Sequence, residues 1–402
     1  MSTPGSLATE SPPRADAPAA AATSAVARTR IEVIDVLRGL IMVIMLLDHV
    51  RETFYRHVPV PDPMDVASTQ PLLFFTRTLA HFCAPLFVFL TGLGAWLYAN
   101  PASGPRSATG FLVKRGLLLV FLEVTVISFV WTGEFPPPVI WLQVIWAIGI
   151  CMIFLGLVHS LPRWVLATMA LALIFGHNAF SSVHVAPGEA GYIPWTILHD
   201  RGFIAAGPPK LRVSYPLVPW LGVIVLGWLA GPLFARTMDL ARRARILTRV
   251  GLACLGLLAV LRGFNIYGET LPWTVQPDFL HTLMSFINFT KYPPSLDFLL
   301  FTLGVGFLLL PRLERVGNGL THALAVIGSA PMFFYVFHLY VLLTLQLLLV
   351  AALGANHGDR FGLGAYWPVW PISLAMIVAL YFPTRAFARY KRTSRQAWVR
   401  YF

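Results

Sequence analysis

Residues 34–51 read IDVLRGLIMVIMLLDHVR and give the clearest indication of how this chain folds. Every residue between Arg38 and Asp48 is apolar or glycine, and charged side chains stand only near the two ends. This arrangement is typical of a helix that crosses a bilayer, which takes roughly 20 mostly apolar residues. The stretch therefore predicts an integral membrane protein.

Apolar runs of similar length follow along the 402-residue chain. Hydrophobic residues make up 57% of it and charged residues 12%, about half the charged share of a soluble domain. We predict one all-α domain, a polytopic transmembrane helix bundle of about ten spans. The candidate spans are 34–51, 72–99, 112–131, 139–158, 164–180, 216–235, 246–263, 296–311, 325–350 and 368–388.

The basic residues orient these spans. More than half of the 30 Lys and Arg residues fall on one side, which the positive-inside rule makes the cytoplasm. We therefore predict that both termini are cytoplasmic and that the protein is a multi-pass protein of the inner (cytoplasmic) membrane, with the lipid bilayer as a partner. The net charge of +12 does not indicate nucleic acid as a partner, because the basic residues lie between apolar runs.

The two ends of the chain and its cysteines carry further predictions. Residues 1–29 are rich in Ala, Ser, Pro and Thr and predict a disordered cytoplasmic tail, while 393–402 predict a basic cytoplasmic tail. Cys83, Cys151 and Cys254 lie in apolar runs at no metal-ligand spacing. They indicate neither a disulfide framework nor a metal site.

The first span carries chemically useful side chains on one face. Arg38 and His49 are eleven residues apart, which brings them within about 20° of the same face and about 16 Å apart along the axis. An arginine suits a phosphate-bearing ligand, and an imidazole can transfer protons near neutral pH. The alternative is structural: Asp35 and Arg38 form a helix-end ion pair, and His49 is an interfacial residue.

Further polar residues gather at the predicted outer ends of the spans, which indicates a polar cavity that opens outward. They are Arg77, His81, His177, Asn178, Arg262, Asn265, Lys291 and Tyr292. Interfacial snorkelling is the alternative for Arg77 and Arg262. The loop 264–295 either lines an acceptor site or forms a rigid interfacial turn.

His338 lies among aromatic residues in the ninth predicted span. A histidine at this depth needs a polar partner, and Glu123 in the third span is one candidate. The sequence leaves open whether His338 is a hydrogen-bonded core residue or a catalyst.

Five short motifs are spread along the chain. The first is IDVLRG (34–39), followed by an apolar run that ends in DHV (48–50). The others are HFCAPLFVFLTG (81–92), YPLVPWLGV (215–223), TKYPPSLDFLLFTLG (290–304) and PMFFYVFHLY (331–340). From about residue 30 to the C-terminus, the chain thus resembles the heparan-α-glucosaminide N-acetyltransferase family and its bacterial relatives. The opening motif is also similar to the wider class of membrane acyltransferases with an arginine and a histidine on the first helix.

The resemblance implies an acyltransferase domain over 30–392 that moves an acyl group, most simply acetyl, from cytoplasmic acyl-CoA. The acceptor would be an amine or hydroxyl of a sugar or glycan across the membrane. Acetyl-CoA is then a donor substrate, and no metal is implied. By motif position Arg38 would face CoA, and His49 would be the general base. In the family's characterised glucosaminide enzyme the catalytic histidine lies further into the next loop, which makes His57 an alternative base.

The resemblance and the patterns above together give the full set of predicted site residues. The predicted catalytic residues are His49, Asp48 and His338, and the predicted CoA-binding residues are Arg38, Asp35, Lys114 and Arg115. The outer polar residues named above are the predicted acceptor site. Direct transfer and a covalent acyl-histidine both stay open.

A secondary transporter for a small polar solute is the alternative function, because intramembrane ionisable residues also mark transport paths. No pair of matching broken helices in the two halves supports it. A non-catalytic scaffold is a third reading. The oligomeric state is open, a homodimer included.

Overall fold

The computed structural model describes residues 17–205, 207–396 and 398–399, with side chains from residue 32 onward. Of the tail predicted over 1–29, residues 1–16 lie outside the described residues, and the first helix already begins at Ala17. Of the tail predicted over 393–402, residues 397 and 400–402 also lie outside them.

The described residues form a mostly helical chain with one small sheet. The helices are α1 (Ala17–Phe54), α2 (Pro71–Ala80), α3 (Cys83–Ala99), α4 (Thr109–Leu122), α5 (Ser128–Thr132), α6 (Val144–Val158), α7 (Arg163–Gly176), α8 (Tyr192–Leu198), α9 (Val218–Ala230), α10 (Leu240–Gly263), α11 (Phe279–Phe286), α12 (Leu296–Leu313), α13 (Gly319–Ser329), α14 (Pro331–Leu353) and α15 (Val369–Thr393). A π-helical turn, Glu123–Ile127, joins α4 to α5, and 3₁₀ turns follow α7 (His177–Phe180) and α9 (Gly231–Phe234).

Six helical segments among the described residues are long and apolar enough to cross a membrane. They are Pro71–Ala99, Arg163–Phe180, Leu240–Gly263, Leu296–Leu313, Pro331–Leu353 and Val369–Thr393. Shorter apolar helices include Val144–Val158 and Gly319–Ser329. The helical, multi-pass character predicted from the sequence is confirmed, whereas ten spans and cytoplasmic termini stay predictions.

Two predicted spans differ from the observed elements. The span predicted over 325–350 is interrupted, because α13 ends at Ser329 and α14 begins at Pro331. Pro331 lacks a backbone N–H and disfavours helical geometry at Ala330, whose φ is −131° and ψ 55°. The span predicted over 139–158 begins as a strand and becomes helical only at Val144.

The sheet places three connecting segments beside the bundle. Strands β1 (Val139–Leu142), β2 (Gly202–Ala205) and β3 (Lys210–Val213) lie in the order β1-β3-β2. β1 is parallel and β2 antiparallel to β3, and the register sets Arg212 opposite Trp141 on one side and Phe203 on the other. The guanidinium of Arg212 lies 5.2 Å from each of these two aromatic rings.

Helix α1 packs closely against α13, and glycines allow this. A Cβ added to Gly39 would lie 1.9 Å from the carbonyl oxygen of Leu324, and one added to Gly328 would lie 1.9 Å from that of Asp35. Such backbone contact is how small residues bring membrane helices together. The glycine that follows Arg38 therefore fixes where the arginine meets the end of α13.

Replacing Gly39 by alanine is expected to destabilise the protein by about 2 kcal/mol, the range of an overpacked core, because the new methyl group meets backbone that cannot rotate away. The melting temperature in detergent measures this. Gly256→Ala is the matched control, since a Cβ there meets nothing within 4 Å. Equal melting temperatures for the two variants would contradict the close α1–α13 contact.

Candidate active site

A cavity of about 500 Å³ runs beside α1. Its wall includes Arg38 and Glu52, which are 14 residues apart in sequence and thus about 21 Å apart along the helix axis. Between them the wall is largely apolar, with Met42, Met45 and Met152 among the lining side chains. The two ends are called the Arg38 end and the His49 end. One cavity thus connects the two residues that the sequence places on a single face.

Three cations meet at the Arg38 end. Arg38 donates to Asp35 Oδ1 at 2.6 Å and to the carbonyl of Gly328 at 3.1 Å. Lys391, near the end of α15, donates to the carbonyl of Ser329 at 3.1 Å, and Arg115 also lines the cavity. Both carbonyls lie at the break between α13 and α14. Because α14 begins at this wall of the cavity, the partial positive charge of its N-terminus adds to the charge of the cations. This end suits an anionic ligand.

His49 and His338 form a hydrogen-bonded pair. Nδ1 of His49 lies 2.7 Å from Nε2 of His338, and the rings are stacked with centroids 5.0 Å apart. Trp131 and Tyr335 contact His49 edge-on, at 5.3 and 5.9 Å between ring centroids. His49 lines the cavity, whereas His338 is fully buried behind it. The polar partner of His338 is thus His49 and not Glu123.

The hydrogen bonds of the pair fix its neutral tautomers. Nδ1 of His338 lies 2.7 Å from the carbonyl oxygen of Phe334, which can only accept, so this nitrogen carries the proton. Nε2 of His338 then accepts from Nδ1–H of His49. Nε2 of His49 is left with a free lone pair and makes no hydrogen bond to another described residue. This is the protonation state that a general base requires.

Asp48 lines the cavity, but its carboxylate is held in a buried ion cluster. It accepts from Arg77 at 2.9 and 3.0 Å and from Arg51 at 3.0 Å. Arg51 also donates to Glu52 at 3.0 Å. Buried charges need such partners, and the cluster ties α2 to the end of α1. Asp48 makes no hydrogen bond to His49, and Arg77 is held by Asp48 rather than directed into the cavity.

The His49 end of the cavity carries unpaired cations. Lys291 is 5% exposed, and its Nζ makes no hydrogen bond to another described residue but lies 5.2 Å from the Tyr292 ring. Arg212, also in the wall, has no carboxylate partner among the described residues. Arg201 is 3.6 Å from Asp62, whose pKa is raised by burial. This end therefore has a local excess of positive charge.

Four of the predicted acceptor residues hold the chain around 264–295 and do not line the cavity. Arg262 donates to four backbone carbonyls, those of Leu271, Ser285, Phe286 and Asn288. Asn265 exchanges two hydrogen bonds with the backbone of Trp273. His177 lies 2.8 Å from the carbonyl of Pro294, and Asn178 accepts from the amide of Leu296. These contacts position the segment that presents Lys291 and Tyr292.

Three other predicted residues also lie off the cavity. His81 is buried with its ring 5.2 Å from that of Phe298. Lys114 is exposed, one position before the cavity-lining Arg115. Glu123 accepts from the amide of Trp146 at 2.9 Å and so holds the start of α6.

His57, the alternative base, lines a second crevice of about 290 Å³ and not the main cavity. Its ring stacks on that of His357 with centroids 3.7 Å apart. No described residue of this crevice also lines the main cavity. Its position favours His49 as the base.

The main cavity is also lined by residues that the sequence does not predict. Tyr335, Lys391, Arg201, Arg212 and Tyr215 all face the main cavity. Tyr335 precedes His338 by three residues, and this spacing on one helix face is a signal that could have identified it. The others come from loops, a strand and the C-terminal helix, and no sequence period connects them to α1. Among the described residues, no group of three or more His, Cys, Asp or Glu side chains could hold a metal ion.

Comparison with known families decides the class of the protein. The family model described as heparan-alpha-glucosaminide N-acetyltransferase, catalytic, matches residues 30–261. The chain belongs to this family. It is accordingly a membrane-embedded acetyltransferase, as the motifs on the first helix predict. A search of curated proteins finds no match.

The matched region contains His49, Arg38 and Arg115, whereas His338, Lys291 and Lys391 lie beyond it. The roles of the latter three rest on their geometry alone. All three lie within or directly behind the wall of the cavity that Arg38, His49 and Arg115 of the matched region also line.

Proposed function

We propose that the protein transfers an acetyl group from cytoplasmic acetyl-CoA to an amine or hydroxyl of a sugar or glycan on the outer side of the membrane. CoA would bind at the Arg38 end, with its phosphates near Arg38, Arg115 and Lys391. The pantetheine arm would extend along the apolar wall toward His49. The observation that carries this proposal is one continuous cavity with phosphate-binding chemistry at one end and a base at the other.

The reaction can be written with these residues. Nε2 of His49 takes the proton from the attacking amine or hydroxyl, whose nitrogen or oxygen bonds to the thioester carbonyl carbon. The tetrahedral species collapses, the carbon–sulfur bond breaks, and His49 returns the proton to the CoA thiolate. The accepting Nε2 of His338 holds the imidazole orientation and stabilises the positive charge that His49 gains. Transfer through an acetyl-histidine uses the same cavity.

The acceptor would bind at the His49 end between Lys291, Tyr292 and Arg212. The excess of cations there favours an acceptor with a carboxylate or phosphate near its reacting group. Tyr292 donates to Tyr215 at 3.1 Å, which leaves aromatic faces for sugar rings.

Turnover of radiolabelled acetyl-CoA by the purified protein tests the proposal. The acceptors are a panel of neutral, amino and acidic sugars, and transfer of label to at least one of them is expected. Sealed vesicles then test direction, since acceptor supplied on one side should be modified by acetyl-CoA supplied on the other. Solute uptake without acetyl-CoA, together with no transfer, would favour a transporter.

His338→Phe is expected to lower kcat by about 10- to 100-fold, with little change in the KM for acetyl-CoA. The ring still fills the space, but His49 loses the acceptor that fixes its tautomer. The pH dependence of kcat distinguishes a role in positioning His49 from a role in packing. If His338 positions His49, its loss should shift the acid limb of the kcat profile. Tyr340→Phe, on the same helix and off the cavity, is the control. An unshifted profile with unchanged kcat would contradict this role.

A further inference from the structure

The second crevice lies between the end of α1 and the connection from α14 to α15. Its wall contains Thr53, Phe54, Arg56, His57, His357, Asp359, Arg360, Phe361 and Gly362. The turn 356–362 is held rigidly, since Asn356 exchanges two hydrogen bonds with the backbone of Gly362. The amide of Leu363 donates to the carbonyl of Phe54 at 2.8 Å. The crevice is therefore a built feature that joins two helix ends.

Its side chains are predominantly basic. Arg56, His57, His357 and Arg360 line it, and Asp359 is the one carboxylate in the described wall. Arg360 reaches the carbonyl of Trp131 at 3.4 Å. Tyr55 is the remaining titratable neighbour of the imidazoles, with its ring 4.9 Å from that of His57.

The two imidazoles are held face to face. Their planes differ by 2°, with centroids 3.7 Å apart. A Cβ on Gly362 would lie 2.4 Å from a His357 ring carbon and 2.8 Å from Nδ1 of His57, so this glycine makes room for the stack. Burial, and then His357, lowers the pKa of His57. Two stacked imidazolium ions repel each other, and an anion nearby would remove that repulsion.

We propose that this crevice is a binding site for a tetrahedral oxyanion, such as a phosphate group, that is occupied when the two imidazoles are protonated. The anion would accept hydrogen bonds from His57 and His357 and contact Arg56 and Arg360. Because the imidazoles follow α1 and α14, a bound anion would also join the outer ends of the helices that carry His49 and His338. The phosphate could belong to a lipid headgroup or to a soluble anion.

The sign of the pH dependence follows from linkage. An anion binds the protonated pair better than the neutral pair, so it promotes proton uptake, and its affinity rises as the pH falls. Sulfate is a suitable probe because its own charge is constant over this range, whereas phosphate titrates.

The test is calorimetric titration of sulfate into the full-length protein in phosphatidylcholine nanodiscs at about pH 6 and about pH 8. We expect the dissociation constant to be about tenfold lower at the acidic pH, which corresponds to about 1.4 kcal/mol. His357→Phe keeps an aromatic stack but removes one of the two protonatable imidazoles, and should reduce the ratio of the two dissociation constants. Gly362→Ala leaves both imidazoles in place, but its methyl group would push the rings of His57 and His357 apart. This variant should therefore weaken sulfate binding.

His184→Phe is the matched control, because this exposed histidine pairs with Asp200 and does not line the crevice. Sulfate binding that is absent, independent of pH, or unchanged in both crevice variants would overturn the proposal. Weaker sulfate binding in the phosphatidylcholine nanodiscs than in a non-ionic detergent would identify the lipid headgroup phosphate as the source, and equal binding would identify a soluble anion. Acetyl-CoA turnover is not part of the readout, so the proposal stands or fails independently of the transferase function.

Discussion

Replacing His49 by alanine is expected to lower kcat for acetyl transfer by about a thousandfold. The loss reflects removal of the general base, whose contribution typically lies between 10²- and 10⁴-fold. Binding of acetyl-CoA should change little, because the cations of the Arg38 end lie about 16 Å away along α1. Single-turnover transfer and equilibrium binding of acetyl-CoA, measured on the same preparation, separate the two effects.

His57→Ala is the control for this experiment. It removes an imidazole eight residues further along the chain that lines the second crevice and not the main cavity. It should retain near-normal kcat. The opposite pattern, with activity lost in His57→Ala and kept in His49→Ala, would move the base to the second crevice and refute the assignment made from the histidine pair.

Removing two cations at the Arg38 end is expected to raise the dissociation constant of acetyl-CoA by about 100-fold. Each charge-assisted hydrogen bond to a phosphate contributes about 1.5–3 kcal/mol, so Arg38→Gln and Lys391→Gln should each have a clear effect. Because Arg38 also pairs with Asp35, Arg38→Lys is included to keep a charge there. Titration with acetyl-CoA and with dephospho-CoA measures the affinity and identifies which phosphate is contacted.

Lys114→Gln is the matched control, since Lys114 is exposed and adjacent in sequence to the cavity-lining Arg115. It changes net charge by the same amount at the same end of the bundle. If Lys114→Gln weakened acetyl-CoA binding as strongly as Lys391→Gln does, the loss would reflect the lower net charge and not a specific contact. The assigned phosphate contacts would then be wrong. A kcat effect without a binding effect would equally contradict the assignment.

The first helix is the part of the candidate site that the sequence predicts best. Helical spacing alone predicts that Arg38 and His49 share a face, and both line one cavity, because the two residues belong to one helix whose geometry is local. Asp35 pairs with Arg38 for the same reason. Family membership was visible too, since the motifs that carry it are short and continuous.

Contacts between distant segments were not visible in this way. The sequence indicates that His338 needs a polar partner and offers Glu123 as a candidate, but the partner in the structure is His49. Arg262 and His177 are residue types that often bind ligands, yet here they bind backbone carbonyls of the 264–295 segment. A polar side chain near a span end is equally suited to either task, and sequence composition does not distinguish them.

The helical membrane character, the family, and the face of α1 that carries Arg38 and His49 can therefore be predicted from the sequence, because hydrophobic length, motif and helical period are properties of contiguous residues. The packing of distant segments brings Lys391 to Arg38, places Lys291 and Arg212 in the cavity wall, and keeps the His57–His357 stack apart from it. These depend on which helix ends and loops meet when the bundle packs. Packing at that level is set by close contacts such as those of Gly39 with α13.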